Sequence, residues 1–236
     1  WRMSEPVNDR CDNKKIMEII ISLKNLKIEQ EDFVADEDNN LEKYGLEKPK
    51  VNVTMEEQNG NTFGVSFGHF LDNKVYAKRD NEMSVFLLND LIVSELSVKA
   101  DLLRSRELVR FDTVAGTLGV DKVEIKTPKT KILIKKTKEY DWQIAEPVKT
   151  LADMDTIKEL IEDVKDIRIL EFVENRSNDL SKYDLDKPLF DLTVYKGDSG
   201  EAARILFGKK DKTGDECFVK RPNEAPVFTI TSKGLY

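Results

Sequence analysis

Trp1-Arg2-Met3-Ser4-Glu5-Pro6-Val7 returns 141 positions later as Trp142-Gln143-Ile144-Ala145-Glu146-Pro147-Val148, with Trp, Glu, Pro and Val at unchanged spacing. The match continues at the same offset, Asp12 with Asp153, Ile16 with Ile157 and Glu18 with Glu159. After a short deletion Phe33-Val34 answers Phe172-Val173, Leu41 answers Leu180, and Lys43-Tyr44 answers Lys182-Tyr183. Leu46 then pairs with Leu185, Lys48-Pro49 with Lys187-Pro188, Phe67-Gly68 with Phe207-Gly208, and Val85-Phe86 with Val227-Phe228. Order and spacing are both kept, so the chain reads as one module written twice. A repeat of this length decides the fold before any single element does.

Periodicity gives the module its shape. Ile16, Ile19, Ile20, Leu23 and Leu26 fall on one stripe at helical spacing, and Ile157, Leu160, Ile161, Val164 and Ile167 repeat it. Asp12 and Asp153 stand just ahead, where a short carboxylate accepts the free amides of a first turn. Glu5-Pro6 and Glu146-Pro147 cannot extend a ladder, and are expected to turn the chain into that helix. Downstream the period changes to two: Val51, Val53 and Met55 alternate with polar residues, as do Phe190, Leu192 and Val194. Gly60 and the stretch 197–200 supply turns. Short strands are predicted at 63–67, 75–77 and 85–88, and again at 203–207, 217–219 and 227–230. The expected class is α+β: in each repeat a helix covers one face of a mainly antiparallel sheet of four to six strands.

Asn89-Asp90 signals a further helix running to about Arg104 in the first copy, while the second stops at Tyr236, where its matching helix would begin. Residues 123–125 and 132–134 read as a hairpin around Pro128-Lys129, leading into the strand of Trp142. Two domains follow, 1–111 lacking an N-terminal hairpin and 112–236 lacking a C-terminal helix, with the parent protein extending past both ends. The chain opens on Trp1 without an initiator Met, so its lack of a signal peptide carries little weight.

Composition narrows the chemistry. Apolar residues make up 39% and charged residues 35%, which describes a globular chain and not a disordered one. A net charge of −7 with interspersed signs argues against nucleic acid, and the basic stretch 126–138 reads as the wet side of the hairpin. No apolar run approaches the roughly 18 residues of a membrane span. Cys11 and Cys217 are the only cysteines; they lie at unrelated places in the two copies and have no metal-ligating neighbours. His69 is the only histidine and reads as a solvent-facing turn residue answered by Lys209. Ala115-Gly116-Thr117-Leu118-Gly119 lacks the lysine and spacing of a phosphate loop and reads as a linker turn. The acidic turn 211–216 lacks the alternation and distal glutamate of a calcium loop. Asp36-Glu37-Asp38 reads as a solvated charge run, and Asn52-Val53-Thr54 and Asn175-Arg176-Ser177 fit a glycosylation pattern that arises often by chance. No catalytic, cofactor-binding or metal-ligating set emerges.

What remains is a structural motif: Trp1, Pro6, Tyr44 and Pro49, answered by Trp142, Pro147, Tyr183 and Pro188. The two tyrosines could present a flat ring to a ligand, but they read better as anchors of the loop between helix and sheet, with Leu46 and Leu185 beneath. Proline then fixes the entry to the next strand. Together with Phe33-Val34, Tyr44-Gly45-Leu46, Phe67-Gly68 and the later Arg104-Ser105-Arg106, this pattern resembles the domain of unknown function 4340, once per copy over nearly the whole chain. The second copy departs from it by carrying Asp184 in place of Gly45. The resemblance implies a membrane-anchored parent with a periplasmic or cell-surface body, accessory to an ABC-type transport complex of the gliding-associated kind. It supplies no catalytic residues. The expected function is therefore a non-enzymatic interaction or scaffold module with protein partners, transporter subunits among them. The runner-up is a carbohydrate- or peptide-binding module using a groove between the repeats. A hydrolase using scattered carboxylates ranks third.

Overall fold

A computed structural model describes residues 1–36, 40–111, 119–138, 141–197 and 200–233. In chain order the strands are β1 (Arg2–Met3), β2 (Asp9–Arg10), β3 (Phe33–Ala35), β4 (Val51–Glu56), β5 (Thr62–Leu71), β6 (Lys74–Arg79), β7 (Val85–Asn89) and β8 (Lys122–Lys126). They continue as β9 (Lys131–Lys138), β10 (Asp141–Glu146), β11 (Thr150–Ala152), β12 (Glu171–Glu174), β13 (Phe190–Tyr195), β14 (Glu201–Lys210), β15 (Glu216–Lys220) and β16 (Val227–Thr231). The helices are α1 (Asn13–Lys24), α2 (Leu91–Leu96), α3 (Ala100–Leu103) and α4 (Met154–Asp166). The architecture is mostly antiparallel sheet with few helices. Two compact units form: one is Asp12–Leu103, the other Trp1–Cys11 together with Arg104–Tyr236. These follow spatial contacts, whereas the division at 111/112 follows the repeat.

The unit Asp12–Leu103 is built on the five-stranded order β3-β7-β6-β5-β4, antiparallel throughout. Asp12 caps α1 by accepting the amides of Lys14 at 3.0 Å and Lys15 at 3.3 Å. Leu23 of α1 is buried with Phe67, Val75, Ala77, Phe86 and Leu88 of the sheet, and Ile92 and Val93 of α2 close the same cluster. The single helix expected up to Arg104 is instead two short ones. Ser97 leaves the helical region at φ −88°, ψ 31°, and α3 starts only at Ala100. Serine competes with the helix through its own backbone contacts, and Val98 beside it is stiff at χ1. Asn89 supplies the cap, accepting the Leu91 amide at 3.0 Å, while Asp90 makes no side-chain cap bond.

The second unit holds a nine-stranded sheet of order β11-β10-β9-β8-β13-β14-β15-β16-β12, wider than the four to six strands expected. The reason is a junction the sequence did not announce. β8 pairs with β13 from Lys126 opposite Asp191 to Lys122 opposite Tyr195, so the hairpin and the tryptophan strand join the downstream meander. Asp153 caps α4 through the Thr156 amide at 2.8 Å, and Ile157, Ile161 and Val164 are buried with Val123, Ile134, Trp142, Phe207 and Phe228. The prolines do not lead straight into the helices. Glu5-Pro6 and Glu146-Pro147 are cis, and the chain first folds back to pair β2 on β1 and β11 on β10. Of the motifs singled out above, residues 115–118 of the glycine stretch, Glu37-Asp38, Asp198-Ser199 and Tyr236 lie outside the described residues.

Candidate functional site

Three features hold the chemistry-bearing residues. The first is the tyrosine loop. A single 3-10 turn, Leu41–Tyr44, ends on Gly45 at φ 68°, and Ser181–Tyr183 ends on Asp184 at φ 56°. Asp184 thus adopts the left-handed conformation that its replacement of glycine put in question. The Leu46 amide donates to Leu41 O and the Leu185 amide to Leu180 O, each at 3.0 Å. Tyr44 is buried with Leu46 and Val85, its ring centroid 4.9 Å from that of Tyr76. Tyr183 is buried with Leu185 and Val227, 4.8 Å from the ring of Phe218. The loop backbone then runs so close to the sheet that a Cβ on Gly68 would lie 2.1 Å from Tyr44 O, and one on Gly208 2.0 Å from Tyr183 O. This is why Phe-Gly recurs: glycine admits the loop. The pair is no turn. It sits inside β5 and β14 at register shifts, and His69 follows it in the strand, exposed, with its ring against Gly45. After each motif proline the chain docks at once: the Lys50 amide donates to Phe67 O and the Leu189 amide to Phe207 O, both at 2.8 Å.

The motif residues do not converge on one point. Tyr44 and Pro49 belong to the unit Asp12–Leu103; Trp1, Pro6, Trp142, Pro147, Tyr183 and Pro188 belong to the other. Trp142 is buried in its core cluster, whereas Trp1 is 63% exposed.

The second feature is a buried ion cluster that sequence reasoning missed. Asp9, fully buried, accepts from Arg104 Nε at 2.8 Å and from an Arg221 terminal nitrogen at 2.7 Å. Arg221 Nε lies 2.8 Å from Glu224 Oε2, and Arg10 donates twice to Glu224 Oε1, at 2.9 and 2.7 Å. Arg104 also donates to Asn175 Oδ1 at 2.9 Å and lies 3.7 Å from the centroid of Phe172, the aromatic of the recurring Phe-Val pair. Burial lowers the affinity of Arg221 for its proton, and Glu224 and Asp9 oppose that by favouring the cation. Within this unit the cluster fastens the first eleven residues to segments more than ninety positions away. Arg104-Ser105-Arg106 was the only trace in the sequence. Asp9, Arg221 and Glu224 lie in charged stretches indistinguishable from solvated ones.

The third feature is an apolar groove of about 660 Å³, wholly within the same unit, between α4 and the sheet. Leu160, Val164 and Ile167 form one wall, Phe190, Leu192, Phe207 and Ile230 the other. Asp163, Asp166, Arg168 and Lys233 stand among the lining residues as its charged members, and Leu170 is 42% exposed at the groove.

Elsewhere the titratable groups are committed locally. Asp211 accepts from the Thr213 hydroxyl and from the amides of Glu216, Thr213 and Gly214, which holds its carboxyl down to about 2. Its oxygens serve the turn. Glu174 is held at about 2 by the Lys182 ammonium and by Ser177. Cys11 and Cys217 are buried free thiols, and burial pushes Cys217 up to about 11. Among the described residues no group of three or more His, Cys, Asp or Glu is placed to hold a metal ion. Among them, too, no helix is long and apolar enough to cross a membrane.

The model of the family described as "Domain of unknown function (DUF4340)" matches residues 1–141 and again residues 142–233. The chain belongs to the DUF4340 family. No curated protein and no solved structure matches it. The two DUF4340 segments are consistent with two tandem copies, and both carry the cis proline, the aspartate cap and the glycine under the tyrosine loop.

Proposed function

We propose that this DUF4340 chain is a duplicated, non-enzymatic interaction or scaffold module, working on the outer side of a cytoplasmic membrane as an accessory to an ABC-type transport complex. The observation that carries the interaction reading is the groove beside α4. Ten aliphatic or aromatic side chains line it, and its charges come from four residues among them. An apolar surface of this kind, with few polar groups, suits a protein partner better than a reacting substrate. The buried charges elsewhere support the same reading, because Asp9, Arg104, Arg221 and Glu224 are committed to ion pairs with one another. The transport-complex part of the proposal comes from the family resemblance.

Affinity capture from membranes with the full-length protein tests it, comparing wild type with Leu170→Asp, a change at an exposed groove residue. A transport subunit should be captured by wild type and lost with the variant. Capture without any transport component, or of the same set by both proteins, contradicts the proposal.

A further inference from the structure

We infer that a recess lined by Arg10, Arg110, Arg204 and Arg221 binds the phosphate group of a small phosphate monoester. It shares no lining residue with the groove beside α4 and does not rest on the interaction reading above.

The recess measures about 210 Å³ and lies wholly within the unit that holds the nine-stranded sheet. The β14–β15 pairing ends with Leu206 opposite Lys220, and residues 201–204 and the turn 221–224 flank the recess at that end of the two strands. Thr231 pairs with Glu216 at the opposite end. Four guanidinium groups line the recess against two carboxylates, Glu201 and Glu224, so its wall is net positive. The other acids that hold these arginines, Glu107, Asp191 and Asp9, are not among the lining residues. Three of the arginines are held alike. Arg10 binds Glu224, Arg110 binds Glu107 and Arg204 binds Asp191, each through Nε and Nη2 at 2.7–2.9 Å. Among the described residues Nη1 of each makes no hydrogen bond. A guanidinium carries five donors in a rigid fork, so a carboxylate on one edge fixes its plane and leaves the other edge to a second anion. Arg221 differs: its nitrogens are taken by Asp9, Glu224 and the carbonyls of Glu107 and Leu108, so it lends charge and not donors. Three such edges match the three terminal oxygens of a phosphate monoester, whereas a carboxylate offers only two. Val109, Ala203 and Pro222 complete the wall with apolar atoms for a short carbon skeleton. The volume is below the roughly 300 Å³ at which pockets for drug-sized ligands begin, which limits that skeleton to a few atoms.

Isothermal titration calorimetry with glycerol 3-phosphate, at constant ionic strength and with glycerol as the uncharged control, tests the site. Saturable binding of the ester but not of glycerol, weakened at least about fivefold by Arg110→Gln and by Arg204→Gln and tightened by Glu201→Gln, supports the inference. Lys212→Gln removes an exposed positive charge in the 211–216 turn, at the other end of β14 and β15, and should leave the affinity unchanged. Circular dichroism reports whether each variant is folded, and Glu201→Gln, which breaks no ion pair among the described residues, keeps the test decisive if an arginine variant unfolds. No saturable binding, equal affinity in wild type and the arginine variants, or a loss with Lys212→Gln as large as with Arg204→Gln overturns it. Once the ester binds, sedimentation with phosphatidylcholine vesicles, with and without phosphatidic acid, distinguishes its source. Arg204-dependent sedimentation with the phosphatidic acid vesicles alone assigns the phosphate to a lipid headgroup, and no sedimentation with either assigns it to a free ester.

Discussion

At the residue scale the two most consequential positions are ones whose neighbours leave no freedom. Asp9 has no solvent exposure and answers two arginines, Arg104 and Arg221, that are themselves 2% and 4% exposed. Removing one member of a buried ionic group leaves uncompensated charge, which typically costs about 3–5 kcal/mol. Asp9→Ala should therefore lower unfolding stability by at least about 3 kcal/mol in urea titration. A loss below about 1 kcal/mol would show that water reaches the cluster. Gly45 and Asp184 share a left-handed backbone, but only glycine holds it without a Cβ penalty. Asp184→Gly should change stability by about +0.5 kcal/mol, the relief of strain exceeding the added freedom of the unfolded chain. Gly45→Asp should cost about 1 kcal/mol or more, because its Cβ would also meet the His69 ring at 2.5 Å. Denaturation of the pair of variants checks both signs. None of this was legible in the sequence as energy. Asp9 looked like any surface acid, since burial arises from contacts with residues some 95 and 212 positions away.

At the scale of elements the helices with aspartate caps and the alternating strands were legible, because period and cap are local signals. What escaped was pairing. β8 on β13 widens a sheet by joining segments more than sixty residues apart, and β3 and β12 add Phe-Val strands beside β7 and β16. The second helix failed for a local reason instead, Ser97 leaving the helical region between α2 and α3. The 211–216 turn is an element stabilised by one carboxylate, and its pH dependence follows. Asp211 is held at about 2 in the folded chain, against roughly 3.9 for a free aspartate. A depressed carboxyl contributes stability that is complete above about pH 4 and is lost as pH falls toward 2. Between pH 5 and pH 2.5 the urea midpoint of wild type should fall further than that of Asp211→Asn. Parallel curves would mean that the turn's hydrogen bonds do not favour the ionised form.

At the scale of the whole molecule the repeat was visible in the sequence from Trp1 and Trp142 onward, and the family match covers the chain in two segments. The groove was not visible, for a physical reason. Leu160, Phe190 and Ile230 read as ordinary core positions, and only the packed structure shows that they line one groove, Leu160 and Phe190 half-buried and Ile230 buried. That groove is the centre of the functional account, as the apolar surface proposed to meet a protein partner. Affinity capture from membranes with the full-length protein, wild type against Leu170→Asp, measures it most directly. A transport subunit held by wild type and lost with the variant is the predicted result; capture of the same set by both would contradict it.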